Sequence, residues 1–506
     1  MLIRHSESKN YSFNVMASGA GYGTISMVDL TDCAMVFLPS KGGRSNCLEE
    51  YIDPKYIAQG ANVILDTILE LNENRSWISK KIIDKYFMLK ECRYYMNNTI
   101  SVNHKRLFEN IKNLGNTGRD ENGVLTRLAL SETDKKGRDL VVSWMIQANL
   151  KVKIDKIGNI FGIWQTSKNK DKNPVMIGSH IDSVINAGIY DGSLGVLSGL
   201  EVIRTLQELE FQPSKPIVVA AFTNEEGVSY QPDMLGSLVY AQGFDLEKAL
   251  GIIGTDGTRL GDQLEKIGYA GTNKPGFIKP SAYIELHIEQ GPILDSENIP
   301  IGAVKDLQGI SWQEIIIKGE ANHAGTTPTK MRIDAGLAAA KVITFLRDRA
   351  NSSNDNTVAT VGSMKFEPNL INVIPSKVTF TVDLRNSNEE MLKAEEKAFE
   401  NYLEKITKTD GVEISAKRLV RFEPVVFDEN IVKIIERVAK SHNLRCRRMT
   451  SGAGHDAQMM SRICPTAMIF APSINGISHN PMEDTKKEDL ISAANVLLDV
   501  IKEVSS

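Results

Sequence analysis

PVMIGSHID, residues 174–182, is a short apolar run that ends in a histidine and an aspartate two positions apart. The same pattern recurs. IVVAAFT at 217–223 leads into Glu225 and Glu226 of TNEEG, AYIEL at 282–286 into His287 of HIEQG, and AMIF at 467–470 into the loop with His479 of GISHN. A fifth stretch, YDGS, supplies Asp191. Short apolar runs punctuated by Gly and Pro read as buried strands of a mostly parallel sheet, which makes the fold class α/β. In such open sheets the binding crevice lies outside the carboxyl ends of the strands, so residues just past those ends converge there.

Taken singly, each polar residue has an ordinary explanation: Asp191-Gly192 fits a turn, Glu225-Glu226 a solvated helix start. Together His180, Asp191, Glu226, His287 and His479 form a ligand set for two divalent ions. Such ions lie about 3.5–4 Å apart and need a carboxylate between them, terminal ligands on each and an open position for water. Asp191 is the natural bridge, with His180 and His287 completing one site and Glu226 and His479 the other. Imidazole with carboxylate suits Zn first, with Mn, Co or Ni also compatible. Glu225 cannot easily bind the same ion as its neighbour, so it is left to act as general base on the attacking water. Asp182 is expected to orient the His180 ring from behind.

The order HxD, DG, NEEG, HIEQG, SGAGHDA and SHN, from about Val102 to the C-terminus, resembles the hydantoinase/carbamoylase branch of the M20 metallohydrolases. That branch includes N-carbamoyl-L-amino acid hydrolases, β-ureidopropionases and allantoate amidohydrolases. The resemblance implies a catalytic α/β domain built from both ends of the chain and interrupted by a smaller α+β lid domain that mediates dimerisation, so a homodimer is expected.

Composition agrees. A chain of 506 residues exceeds the size at which single cores stop growing. A net charge of −4 offers no basic field for nucleic acid. The apolar runs fall short of the roughly 20 residues that span a bilayer, and MLIRHSESKN lacks the apolar core of a signal peptide. Five cysteines, Cys33, Cys47, Cys92, Cys446 and Cys464, form no metal-type pair and leave an odd thiol, so a reducing cytoplasm is the expected home.

Pattern alone bounds the lid at 307–418. A strand-like stretch from Ser311 is followed by a helix-like run from Arg332 to Arg349, strands at Thr357–Met364 and Lys377–Leu384, and a charged helix at Glu389–Thr407. The flanking segments, 101–306 and 419–506, form the two parts of the catalytic domain. By the resemblance, His323 in ANHAG, Asn372 in NLINVIP and Arg385 in VDLRN hold substrate. Arg385 grips a carboxylate through its two-pronged guanidinium, and His323 donates to the oxyanion. Gln290 and His455 carry over as pocket residues.

The front of the chain copies its end. Residues 1–71 align without a gap to 434–504, so that SGAGYGTISMVDL at 18–30 mirrors SGAGHDAQMMSRI at 451–463 and ANVILDTILE at 61–70 mirrors ANVLLDVIKE at 494–503. The copy is chemically disabled, with Tyr22, Gly23 and Asn46 standing where His455, Asp456 and His479 are. It reads as a decayed fusion remnant. Residues 72–100 then form a linker with a basic, helical stretch at 72–98, and Met96 is a plausible alternative start.

The function these features imply is metal-dependent hydrolysis of a ureido C–N bond in a small N-carbamoyl amino acid, giving amino acid, CO2 and ammonia. Allantoate amidohydrolase is the nearest alternative. An M20 aminopeptidase or N-acyl amino acid deacylase would share the metal residues, but HIEQG and the Asn372/Arg385 pair fit the carbamoylase branch better. A non-catalytic scaffold relative is disfavoured by the complete ligand set.

Overall fold

In the computed structural model of the chain the described residues are 2–14, 35–40, 52–73, 101–352 and 357–506. They fall in two compact units, Met1–Ile100 and Ser101–Ser506. No described helix is long and apolar enough to cross a membrane.

The first unit contains helices α1 (Leu2–Ser8) and α2 (Pro54–Glu73), which pack together. The ion pairs that join them among the described residues include Arg4 to Glu70 and Lys9 to Asp66, the second at 2.7 Å. Shifted by the repeat, these become Arg437–Glu503 and His442–Asp499, both present in the second unit at 2.5 and 2.8 Å. The two helices of the first unit are thus cross-linked at positions equivalent to those that link the helices Glu429–Ser441 and Lys487–Val504. Beside residues 35–39, the counterpart of the original's last strand, an isolated bridge joins Ser40 to Ile52. Tyr22, Gly23, Asn46 and, beyond Glu73, the expected basic linker lie outside the described residues.

In the second unit, nine strands among the described residues form the main sheet. They are β1 (Lys151–Ile154), β2 (Ile160–Trp164), β3 (Val175–His180), β4 (Ile217–Phe222), β5 (Ala282–Ile288), β6 (Ile301–Leu307), β12 (Val425–Val426), β13 (Cys446–Ser451) and β14 (Thr466–Ala471). The order is β1-β2-β4-β3-β5-β14-β6-β12, with β13 also pairing β6. The central strands β4, β3, β5 and β14 are parallel and the outer pairings β1–β2, β2–β4 and β14–β6 are antiparallel. Every residue of β3, β4, β5 and β14 is buried, as the unbroken apolar runs require of strands covered on both faces.

Helices supply that cover. Helices α3 (His104–Gly115) and α4 (Glu132–Gln147) precede the sheet, and α4 is capped by Ser131, whose hydroxyl accepts from Asp134 N. Helix α5 (Ser193–Glu208) packs on β3, β4 and β5 and is buried along nearly its whole length. Leu490, Leu497 and Ile501 of the C-terminal helix Lys487–Val504 are fully buried, whereas their counterparts in the copy, Ile57, Ile64 and Ile68, are about half exposed.

The second sheet is antiparallel throughout, in the order β11-β7-β10-β8 with β9 also on β10. Its strands are β7 (Gly309–Lys318), β8 (Val358–Thr360), β9 (Met364–Glu367), β10 (Lys377–Asn386) and β11 (Glu413–Phe422). Helices α6 (Ala335–Ser352) and α7 (Glu389–Asp410) cover one face, where Ile315, Val342, Phe380 and Phe399 build a separate core. β10 alternates strictly between buried and half-buried residues, the signature of a sheet with one face packed. The stretch expected as one strand over 357–364 is two, since β8 and β9 pair with different parts of β10 on either side of Val361–Ser363.

Candidate metal centre

The five ligand-type residues meet at the carboxyl ends of the parallel strands. His180 is the last residue of β3 and His287 the last but one of β5, while Glu225 and Glu226 follow Thr223 and Asn224 at the end of β4. His479 lies in the loop after β14, and Asp191 in the loop before α5. The turn after Asp191 demands glycine: Gly192 has φ +60°, and a Cβ there would stand 2.4 Å from His180 Nε2.

Asp191 sits between two groups. Its Oδ1 lies 3.4 Å from His180 Nε2 and 3.2 Å from His287 Nε2. Its Oδ2 lies 3.3 Å from His479 Nε2, which is 3.4 Å from Glu226 Oε2. Gln290 Nε2 also donates to Oδ2, at 2.8 Å. Ligand atoms around one ion, with bonds of about 2.0–2.1 Å in tetrahedral geometry, stand roughly 3.3 Å apart. The sets His180/Asp191/His287 and Asp191/Glu226/His479 match that spacing, each with its ligand atoms within 4.8 Å of one another. Among the described residues Glu226 Oε1 is buried with no hydrogen-bond partner, as suits a carboxylate oxygen placed to meet a cation. The residues present fit divalent ions.

Electrostatics point the same way. Burial would raise the Asp191 carboxyl, but hydrogen bonds from His180, His287 and His479 outweigh it and hold the group well below the usual range. Burial opposes charging of His180, yet Glu225, Asp191 and Asp182 raise its pKa well above the ordinary value, and His287 is raised by Asp191 against the same burial. His479, half exposed, is pushed up to about 9, chiefly by its hydrogen bond to Asp191. Burial first, then neighbouring carboxylates, pushes Glu226 up to about 8 and Glu225 well above the carboxylate range. Crowded buried carboxylates of this kind call for cations.

The supporting contacts differ in part from expectation. The group that orients His180 is the Asp182 main-chain carbonyl, which accepts from Nδ1–H at 3.0 Å, while the Asp182 carboxylate stands 3.9 Å away. That carboxylate instead accepts the main-chain N–H of Glu225 and of Glu226, each at 3.3 Å. It ties the β3 loop to the β4 loop. His287 Nδ1–H donates to Ile288 O at 2.9 Å, turning Nε2 toward the Asp191 turn. Glu225 Oε2 reaches 3.5 Å from His180 Nε2, beside that ligand set.

His455 is fully buried. Its ring packs 4.4 Å from that of His287, and its Nε2 is 3.1 Å from Ser451 Oγ, so it backs a ligand instead of lining open space. His323 and Asn372 lie together on exposed loops of the smaller sheet, joined by a hydrogen bond from Ala324 N to Asn372 O. His323 Nδ1 accepts from the amides of Gly325 and Thr326, which leaves the proton on Nε2. Arg385 holds Asp383 through Nε and Nη2 and donates from Nη1 to Gly452 O at 2.7 Å, three residues before His455. Among the described residues, none of these three hydrogen-bonds to a residue of the ligand cluster.

Two buried carboxylates at the centre, Glu483 and Glu285, escape sequence reading, and a third, Asp456, is visible there only through the repeat. Glu483 accepts the main-chain N–H of Tyr190 and Asp191 and the hydroxyl of Ser478, so one side chain fastens the bridge to the His479 loop. Its signal, an acid four residues after His479, looks like any solvated loop. Glu285 accepts from Ser179, Tyr283 and Ala457 behind the histidines, and Asp456 accepts from Ser237 at 2.5 Å.

Comparison with known proteins gives this geometry its context. Residues 176–503 match peptidase family M20/M25/M40. An N-carbamoyl-L-amino-acid amidohydrolase from Rhizobium meliloti is 39% identical over 404 residues, 80% of this chain and 97% of the relative. One from Geobacillus stearothermophilus is 38% identical over 78% and 96% respectively. The crystal structure of a hydantoinase/carbamoylase family amidase from Burkholderia multivorans superposes with TM-score 0.77 at 39% identity, covering 80% of this chain and 98% of that one. Since the family match encloses every ligand residue from His180 to His479 and the relatives are covered almost end to end, this chain belongs to peptidase family M20/M25/M40, on its hydantoinase/carbamoylase branch.

Proposed function

We propose that this amidohydrolase cleaves the ureido C–N bond of an N-carbamoyl amino acid, an N-carbamoyl-L-amino acid or N-carbamoyl-β-alanine. The observation that carries the reading is the Asp191 carboxylate, whose two oxygens face different histidines with Glu225 beside them. The names of the relatives support the substrate class. Two divalent ions, Zn first, would give the ureido carbonyl a Lewis acid and make the attacking water more acidic. Glu225 takes a proton from that water as its oxygen bonds to the carbonyl carbon, and returns one to the leaving nitrogen as the C–N bond breaks. The amino acid departs, and the carbamic acid left behind falls apart to CO2 and ammonia.

His323 presents an Nε2–H, the donor an oxyanion needs. Arg385 takes the substrate carboxylate in its fork by exchanging Asp383 for it, with Asn372 beside His323 and Gln290 beside Asp191. Bringing His323, Asn372 and Arg385 to the ligand cluster requires the smaller domain to close as a lid, which also excludes water. A homodimer formed through that domain and a cytoplasmic location complete the proposal.

A substrate panel scored by ammonia release tests it. N-carbamoyl-L-amino acids and N-carbamoyl-β-alanine should be turned over, and N-acetyl amino acids and dipeptides should not. Preference for allantoate, or turnover of the acyl and peptide substrates alone, would overturn the assignment.

A further inference from the structure

Arg127 lies in TRLALS, ahead of α4, and is 1% exposed. All three nitrogens of its guanidinium donate hydrogen bonds. Nε donates to Ile181 O at 2.6 Å; Nη1 to Leu114 O at 2.8 Å, Thr117 O at 3.0 Å and Thr117 Oγ1 at 3.1 Å; and Nη2 to Ser193 Oγ at 3.2 Å. The main chain adds two bonds, Arg127 N to Ser183 Oγ and Ser183 N to Arg127 O, each 2.9 Å. Helix α4 is recessed to admit it, since a Cβ on Gly137 would stand 3.0 Å from Arg127 Cδ.

Two of these acceptors belong to the centre's own segments. Ile181 follows His180, and Ser193 lies two residues after Asp191. Arg127 thus joins, from behind, the loop carrying one terminal ligand and the turn carrying the bridge. Among the described residues no carboxylate lies within ion-pair distance of it, and the charges that favour its protonated form are those of Asp134 and Asp182. Burial lowers its pKa to about 10, so it stays charged at neutral pH. A buried charge without a direct partner is costly, and this one touches both ligand-bearing segments.

We propose that Arg127 is a positioning residue for the ion site, fixing the separation of His180 and Asp191 and with it the affinity for metal. The inference rests on the reading of these residues as metal ligands. Removing groups that orient ligands typically weakens metal binding by about 10–100-fold. Lysine keeps the charge but cannot reach Ile181 and Ser193 together.

The experiment is zinc binding by the purified full chain in competition with a chromogenic chelator, alongside thermal unfolding. Arg127→Lys should remain folded, bind zinc about 10–100-fold more weakly, and recover turnover when zinc is raised. Ser193→Ala, which removes one hydroxyl, should bind about three- to tenfold more weakly and decides the matter if Arg127→Lys does not fold. Wild-type zinc affinity in folded Arg127→Lys, or in Ser193→Ala when the lysine variant fails to fold, would overturn the positioning role and leave the metal centre standing. Failure of the unaltered protein to bind zinc, manganese, cobalt or nickel would overturn both.

Discussion

Replacing Glu225 by Gln isolates proton transfer from metal binding. The residue is 7% exposed and belongs to neither set of converging ligands. Its main chain is anchored independently, with Glu225 N donating to Asp182 Oδ1 at 3.3 Å and Glu225 O accepting from Met234 N at 2.7 Å. Glutamine preserves these anchors and the volume and removes the ability to accept a proton. A positioned general base is worth about 10²–10⁴ in rate, or roughly 3–5 kcal/mol at 1.36 kcal/mol per tenfold. We therefore expect kcat for ammonia release to fall by about 100-fold or more, with KM within about threefold and metal content by elemental analysis unchanged. After chelation the variant should unfold at no lower temperature than the chelated parent, because burial first, and then Glu226, Asp456 and Asp191, disfavour a charge on Glu225 by more than His180 favours it. A kcat within tenfold of the parent at full metal content would remove Glu225 from the base role. Loss of metal would make it a ligand instead.

Four further outcomes are expected. Chelation should abolish activity, and Asp191→Ala should lose all bound metal where His479→Ala mainly weakens one ion, because only Asp191 faces both sets; equal stoichiometry in the two variants would contradict the bridge. Gly192→Ala should lower metal occupancy and cost about 1–2 kcal/mol in backbone strain alone, read by elemental analysis and denaturant melts, since its Cβ meets the His180 ring at positive φ. Arg385→Lys should raise KM strongly for carboxylated ureido substrates and little for neutral ureas; equal effects would place it outside the pocket. A chain beginning at Met96 should fold, bind metal and keep most of its activity, since the second unit starts at Ser101 and carries every ligand residue; a soluble, metal-loaded but inactive short form would show that the N-terminal copy has acquired a role.

The sequence alone determined the buried parallel strands and the residues just past their ends. Continuous apolar runs can satisfy their backbone only inside a sheet, and polar residues at their carboxyl ends have one crevice to enter. The repeat was equally legible, because matching residues at one spacing require no folding to detect. Tertiary structure decided how the polar residues are used. The two oxygens of Asp191 separate His180 and His287 from His479 only because strands far apart in the chain become neighbours. Asp182 orients His180 through its carbonyl while its carboxylate ties down Glu225 and Glu226, a division that residue type cannot express. Arg127 and Glu483 look like surface charges in sequence. Their partners lie up to 66 and 293 positions away, and burial of a charge is a property of what closes over it.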